Sequence, residues 1–287
     1  MKRWALVGTL ALAACEAPLD PIAPSGLHFS LSGYLDASSD TQWVRVEPLA
    51  PTADPTTGPI DAEVALVLPD GDRQRMAQEV RIFPTGPAHL FWTTAPVEPG
   101  RTYRVVARAT DGSEARTDVA IPDDADVTFT LVDGLVNCPT AVLVGGAVTL
   151  VDVEARYELR GEGRVGQRFR FDKAASVRRG IAGTLDAFVY FGDDALAMRI
   201  PGLPGEYPVL PEIVVALGTD DWPDTAGLSL EDALGEVSLG RVEGGVGFVG
   251  GTVTKTLPFV PGFGVIPPFE GSGIDPEPCY SDPDAVR

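Results

Sequence analysis

The chain has 287 residues, an apolar fraction of 44% and a formal charge of −19. A negative field of that size repels nucleic acid and anionic surfaces, so no nucleic-acid partner is expected. Glycine (32) and proline (26) are abundant and long helical periodicity is missing, which favours an all-β build.

Lys2 and Arg3 precede an apolar run, 4–14, that stops at Cys15. The run is shorter than the roughly 20 residues needed to span a bilayer, so it reads as a removable export signal. Leu12-Ala13-Ala14-Cys15 resembles the lipobox of bacterial lipoproteins. The resemblance implies cleavage after Ala14, a signal peptide over 1–14 and acylation of Cys15. It also implies attachment to a membrane of the cell envelope, the outer membrane being the expected one. Stable attachment takes two or more acyl chains. The alternative is an ordinary secretory leader with a coincidental cysteine. Residues 15–25, with Pro18, Pro21 and Pro24, read as an extended tether.

The remaining 260 or so residues suggest two domains. Short strand-like runs follow one another from Leu27. Phe29, Leu31 and Gly33 alternate with serines, Val44 and Val46 alternate with Arg45 and Glu47, and Val64, Leu66 and Leu68 lead into Pro69-Asp70-Gly71. Such alternation predicts sheets with one buried and one solvated face. Segments 79–83 and 88–94 are further strands. In the stretch 98–122, Tyr103, Val105, Ala107 and Ala109 face one way. Asp111-Gly112 makes a hairpin turn, and Ala115, Thr117, Val119 and Ile121 return. The Pro-Gly turn followed by Tyr-x-Val-x-Ala resembles the last two strands of a fibronectin type III domain. That implies an immunoglobulin/fibronectin III-like β-sandwich over 26–122.

Asp123, Asp124 and Asp126 mark a boundary, and a second β-rich domain is expected over 126–280. Its strand-like runs are 127–134, 147–161, 167–171, 185–200 and 247–257. Ser229 as a cap, Glu231, Asp232 and Gly235 predict one short helix. The tail from Pro258 is rich in Pro and Gly and expected to be irregular. With Cys15 taken by lipid, Cys138 and Cys279 remain as a pair, for which a disulfide is the default in an oxidising compartment. Two separate buried thiols are the alternative.

Residues 32–49 and 242–258, taken with the lipobox, resemble an uncharacterised group of bacterial lipoproteins with an immunoglobulin-like first domain and a second domain of unknown function. The resemblance implies an accessory role beside outer-membrane receptors of the TonB-dependent kind. It carries no catalytic residues with it.

No cofactor, metal or catalytic constellation is expected. His28 and His89 lie in separate predicted strands, and no nucleophile elbow, HExxH or phosphate loop occurs; Gly161-x-Gly163 reads as a hairpin or loop. Asp193–Asp194 and Asp220, Asp221 and Asp224 read as solvated turns. Trp92 reads as core, whereas Trp222, in a polar Asp/Pro loop, is the candidate contact for a partner or ligand; Phe259, Phe263 and Phe269 are further aromatics to place. The function expected is a non-enzymatic, lipid-anchored binding or accessory module. Its rival is an envelope glycan hydrolase using carboxylates of the second domain.

Overall fold

The structure is a computed structural model and describes residues 26–49, 57–84, 86–125, 127–132, 139–147, 149–159, 167–180, 183–198, 209–222 and 242–259. Cys15, Cys138, Cys279, the expected helix near 229–235 and the turn at 161–166 lie outside the described residues. No described helix is long and apolar enough to cross a membrane.

The protein is all-β. Eight strands build the first half: β1 (Phe29–Asp36), β2 (Gln42–Pro48), β3 (Ala62–Val67), β4 (Arg73–Arg75), β5 (Ala77–Phe83), β6 (Gly86–Thr93), β7 (Thr102–Ala109) and β8 (Glu114–Ala120). Eight more follow: β9 (Thr128–Val132), β10 (Thr140–Gly145), β11 (Thr149–Leu159), β12 (Gln167–Asp172), β13 (Arg178–Arg179), β14 (Leu185–Val189), β15 (Val209–Gly218) and β16 (Gly245–Pro258). One short helix, α1 (Phe191–Ala197), follows β14.

An eight-stranded sheet in the order β12-β11-β15-β16-β1-β2-β6-β5 carries two four-stranded sheets, β4-β3-β7-β8 and β13-β14-β10-β9. In the first lobe, strands β1, β2, β6 and β5 face β3, β7, β8 and the short β4. This arrangement is an immunoglobulin-like sandwich in which the short β4 adds a fourth strand to the second sheet. Its core contains residues predicted by alternation, Leu31, Val44, Val46, Val64 and Leu66, all within 1% of full burial and joined by Tyr103, Val105 and Val119; Leu35 continues the same face of β1. The Asp111-Gly112 hairpin forms as expected, with Gly112 at φ 90°.

The expected division at 122–126 separates the two small sheets, but the large sheet runs across it. Residues 245–252 of β16 pair in parallel with β1, and residues 252–258 pair antiparallel with β15. Strand β1 would otherwise present an unpaired edge, and β16 covers it. Val242, Val249 and Val253 therefore complete the core of the first lobe from the far end of the sequence. Arg116 and Glu243 fasten the approach to this strand through a backbone bridge and an ion pair of 2.6 Å.

The second lobe packs Val142, Val144, Ala187 and Val189 of its small sheet against Val153, Tyr157, Ile213 and Val215 of the large one. Leu217 and Val253 are register partners, so both cores lie on the same face of the large sheet. The stretch 185–200, expected as a strand, turns into α1 after Val189. Asp193 and Asp194 in the first turn suit a helix N-terminus, and Ala195, Leu196 and Ala197 are strong helix formers.

Candidate functional site: the open face of the large sheet

With one face covered by two small sheets, the other carries no further sheet among the described residues and is where the fold presents side chains. Register fixes its rows. Tyr34 opposes Trp43, Trp43 opposes Trp92, and Tyr34 opposes Gly250 on its other side. The three aromatics thus form one row over β1, β2 and β6, on the parity opposite to core residues Leu35, Val44 and Phe91. Trp43 and Trp92 are half-buried with ring centroids 6.0 Å apart and planes tilted by 37°. Tyr34 is 38% exposed. Burial, then the Asp36 and Asp152 carboxylates, pushes the Tyr34 phenol above its usual range, so its hydroxyl keeps a proton to donate. The Arg81 guanidinium lies 4.7 Å from the Trp43 ring centroid and donates from Nε to Glu79 at 2.7 Å.

Beyond Tyr34 the face turns acidic. A bulge between Leu150 and Asp152 sends both Val151 and Asp152 to this side. Burial pushes the Asp152 carboxyl up, and the neighbouring Asp172 and Glu154 carboxylates add to it. Farther out, Arg156, Glu158, Arg168, Arg170 and Glu212 rim a depression of about 270 Å³. Arg168 donates to Glu158 at 3.3 Å, and Arg156 pairs with Glu154.

Trp222 is on this face but is not an exposed contact, which corrects the sequence expectation. It is 5% exposed, meets Phe248 edge-on at 5.1 Å and donates from Nε1 to the Gly251 carbonyl at 2.9 Å. The physical reason is the glycine pair beneath it: a Cβ on Gly218 or Gly250 would lie inside the indole. The polar loop around Trp222 reflects the chain leaving the sheet, while the ring folds back as a plug over Val151 and Ala216.

The other singled-out residues divide similarly. Asp194, expected in a solvated turn, is 2% exposed. It accepts from the Tyr157 hydroxyl at 2.6 Å and from Lys173 Nζ at 2.5 Å. Burial pushes the Asp194 carboxyl up against the opposing pull of Lys173 and Tyr157, and burial beside Asp194 also raises the Tyr157 phenol. Both carboxylate oxygens are occupied, so this network holds α1 to the core. His89, 2% exposed, has Nδ1 at 2.7 Å from Glu47 and Nε2 at 3.0 Å from the Gly58 carbonyl. His28 stands just before β1. Asp124 pairs with Lys255. Among the described residues no group of three or more His, Cys, Asp or Glu side chains could hold a metal. Phe259 is buried against Tyr157.

Sequence reasoning passed over Tyr34 and Trp43 and took Trp92 for core. For Tyr34 and Trp43 the signal was present in the alternation itself, because they take the parity of Ser30, Ser32, Arg45 and Glu47 in strands whose other face is core. Trp92 shares its parity with Ala88 and Leu90, and only its pairing with Trp43 assigns it to this face.

No protein-family profile and no curated protein matches the chain. Among solved structures it is similar to pullulanase from Anoxybacillus sp. LM18-11, with 13% identity over 65% of this chain and 24% of that one, at a TM-score of 0.23. The maltotriose complex of that pullulanase gives 14% identity at the same coverage and score. The chicken CNTN1 FN1–FN3 domains give 11% identity over 81% of this chain and 66% of theirs, at 0.21. The chain thus spans about a quarter of the pullulanase it matches.

Proposed function

We propose that the protein is a lipid-anchored, non-enzymatic module of the cell envelope that binds a protein partner through the open face of its large sheet. Cys15 carries the lipid and residues 16–25 form the tether in this reading. The observation that carries the binding role is the row Tyr34–Trp43–Trp92. Aromatic area bordered by charged side chains has the composition of an interface patch, an apolar centre within a polar rim. The resemblance to envelope lipoproteins supports an outer-membrane receptor or transporter as the partner, and the charge of −19 argues against nucleic acid.

A photo-crosslinking residue placed at Tyr34 in cells, with a control at Asp70 in the remote β3–β4 turn, tests this. Adducts with an outer-membrane receptor or transporter from Tyr34 alone support the reading. Equal yields from both positions, or none, contradict it. Labelling Cys15 with a palmitate analogue tests the address separately.

The hydrolase reading retains one specific observation. A carboxyl held above its usual range beside other carboxylates, as Asp152 is beside Asp172 and Glu154, suits a general acid. Glycan cleavage by the wild type that disappears in Asp152→Asn would establish it.

A further inference from the structure

The exposed apolar side chains of the first lobe are not scattered. Among the described residues the large hydrophobics that are exposed are Leu27 (37%), Tyr34 (38%), Leu49 (40%), Ile82 (70%) and Phe83 (45%). Tyr34 belongs to the open face. Register places the other four at one end of the sandwich. Phe29 opposes Pro48, and the Leu49 amide donates to the His28 carbonyl at 2.8 Å. Strand β2 runs on toward the level of Pro87, which opposes Ile82, while Gly86 opposes Phe83. Leu27, Leu49 and Phe83 therefore end neighbouring strands within about three strand spacings, roughly 15 Å. Between the sheets at this end opens a depression of about 380 Å³ lined by Leu27, Pro48, Leu49, Pro59 and Ile60, with His28, Asp61 and the β7–β8 turn residues Asp111 and Ser113 as its polar side. The opposite end of the lobe is made of polar turns: Ser38, Ser39 and Asp40, then Pro69 to Asp72.

We propose that this end rests against the neutral, zwitterionic interface of the membrane that holds the lipid. The inference takes its address from the anchored reading above, and its surface from the exposed residues. Twelve residue steps join Cys15 to Leu27, a reach of at most about 40 Å. The apolar end is also the end at which the tether enters, so a bilayer holding Cys15 lies within reach of Leu27, Leu49, Ile82 and Phe83. Charge selects the type of surface. The arginines at this end are paired, Arg81 with Glu79, Arg108 with Glu114 and Arg116 with Glu243. With no cationic surplus on an acidic protein, attraction to anionic lipid is absent and apolar insertion at the headgroup boundary remains. Seating this end would set the angle at which the open face stands from the membrane.

The test reconstitutes the lipidated full chain into phosphatidylcholine vesicles with and without nitroxide-labelled phosphatidylcholine. An indole is added by Phe83→Trp at the apolar end or by Ser39→Trp at the opposite end, with wild-type emission subtracted. The expected result is quenching of about twofold or more for Phe83→Trp, insensitive to salt, and none for Ser39→Trp. Leu49→Trp should be quenched as well, and lose its quenching when Ile82→Ser and Phe83→Ser are added; neither side chain belongs to the buried core, Ile82 being 70% and Phe83 45% exposed, and an unchanged circular dichroism spectrum checks that the fold survives. Unquenched Phe83→Trp, or equal quenching at both ends, overturns the proposal. The mass of the N-terminal peptide separates the two readings. Lipid on Cys15 without quenching removes the membrane seat and keeps the anchor; quenching by added vesicles without lipid keeps the seat and removes the anchor. A dimer in sedimentation that shields Phe83→Trp from nitroxide assigns this end to a second copy of the chain and overturns the proposal.

Discussion

The two faces of the large sheet are built from the same strands, yet they use aromatic residues in opposite ways. On the covered face Phe91 and Tyr157 are within 1% of full burial and fill the two cores. On the open face Tyr34, Trp43 and Trp92 stay partly in solvent, while Trp222, drawn down by two glycines, and Phe248 beneath it form a sealed plug. An aromatic side chain on this sheet is therefore structural where something packs over it and available for recognition where nothing in the described chain does.

The largest effect should come from breaking the strand that both lobes share. Val249→Asp places a charge in the first core, a cost that consumes much of the ~5–15 kcal/mol by which a domain is stable. Because β16 pairs with β1 and β15 alike, amide protection should fall in both strands together; loss confined to β1 would show that the lobes are independent. Trp222→Ala comes next. As a buried plug it should cost about 3–5 kcal/mol in denaturant unfolding, whereas an exposed contact would leave stability unchanged. Trp43→Ser on the open face should cost only about 1 kcal/mol while abolishing partner crosslinking, the reverse of what a core tryptophan does.

The smallest effect is a pH dependence. Asp152 is held above the unfolded carboxylate value of about 3.9, so its contribution to stability is complete below that pH and is lost as pH rises through its folded value. Asp152→Asn, which cannot ionise, should match the wild type in acid and gain on it progressively from about pH 4 toward neutrality. Urea midpoints measured across that window check the sign, and a variant that loses ground as pH rises would refute it.

The first lobe was legible because its strands alternate cleanly: one face is core and the other solvated, so Leu31, Val44, Val64 and Val105 announce themselves. The second lobe was harder for an equally physical reason. In β15, Ile213, Val215 and Leu217 face the core while Val214 (5%) and Ala216 (9%) are also buried on the other side, so the alternation that marks a strand disappears. Strand β10, with Ala141, Val142 and Val144 all fully buried, was obscured in the same way. The parallel pairing of β16 with β1 was beyond reach, since alternation reports which face a residue takes and not which distant strand lies beside it. For the site, the composition of the Trp222 loop misled. Loop polarity says where the backbone runs, and the glycines at 218 and 250, more than 25 residues apart, decide where the ring goes.

The most direct test of the open face as the recognition surface is hydroxyl-radical footprinting of the protein in intact cells and after purification in detergent. The account predicts that Tyr34, Trp43 and Trp92 oxidise readily when purified and are protected in the envelope, while Trp222 reacts weakly in both. Equal oxidation of Tyr34, Trp43 and Trp92 in the two preparations would contradict it.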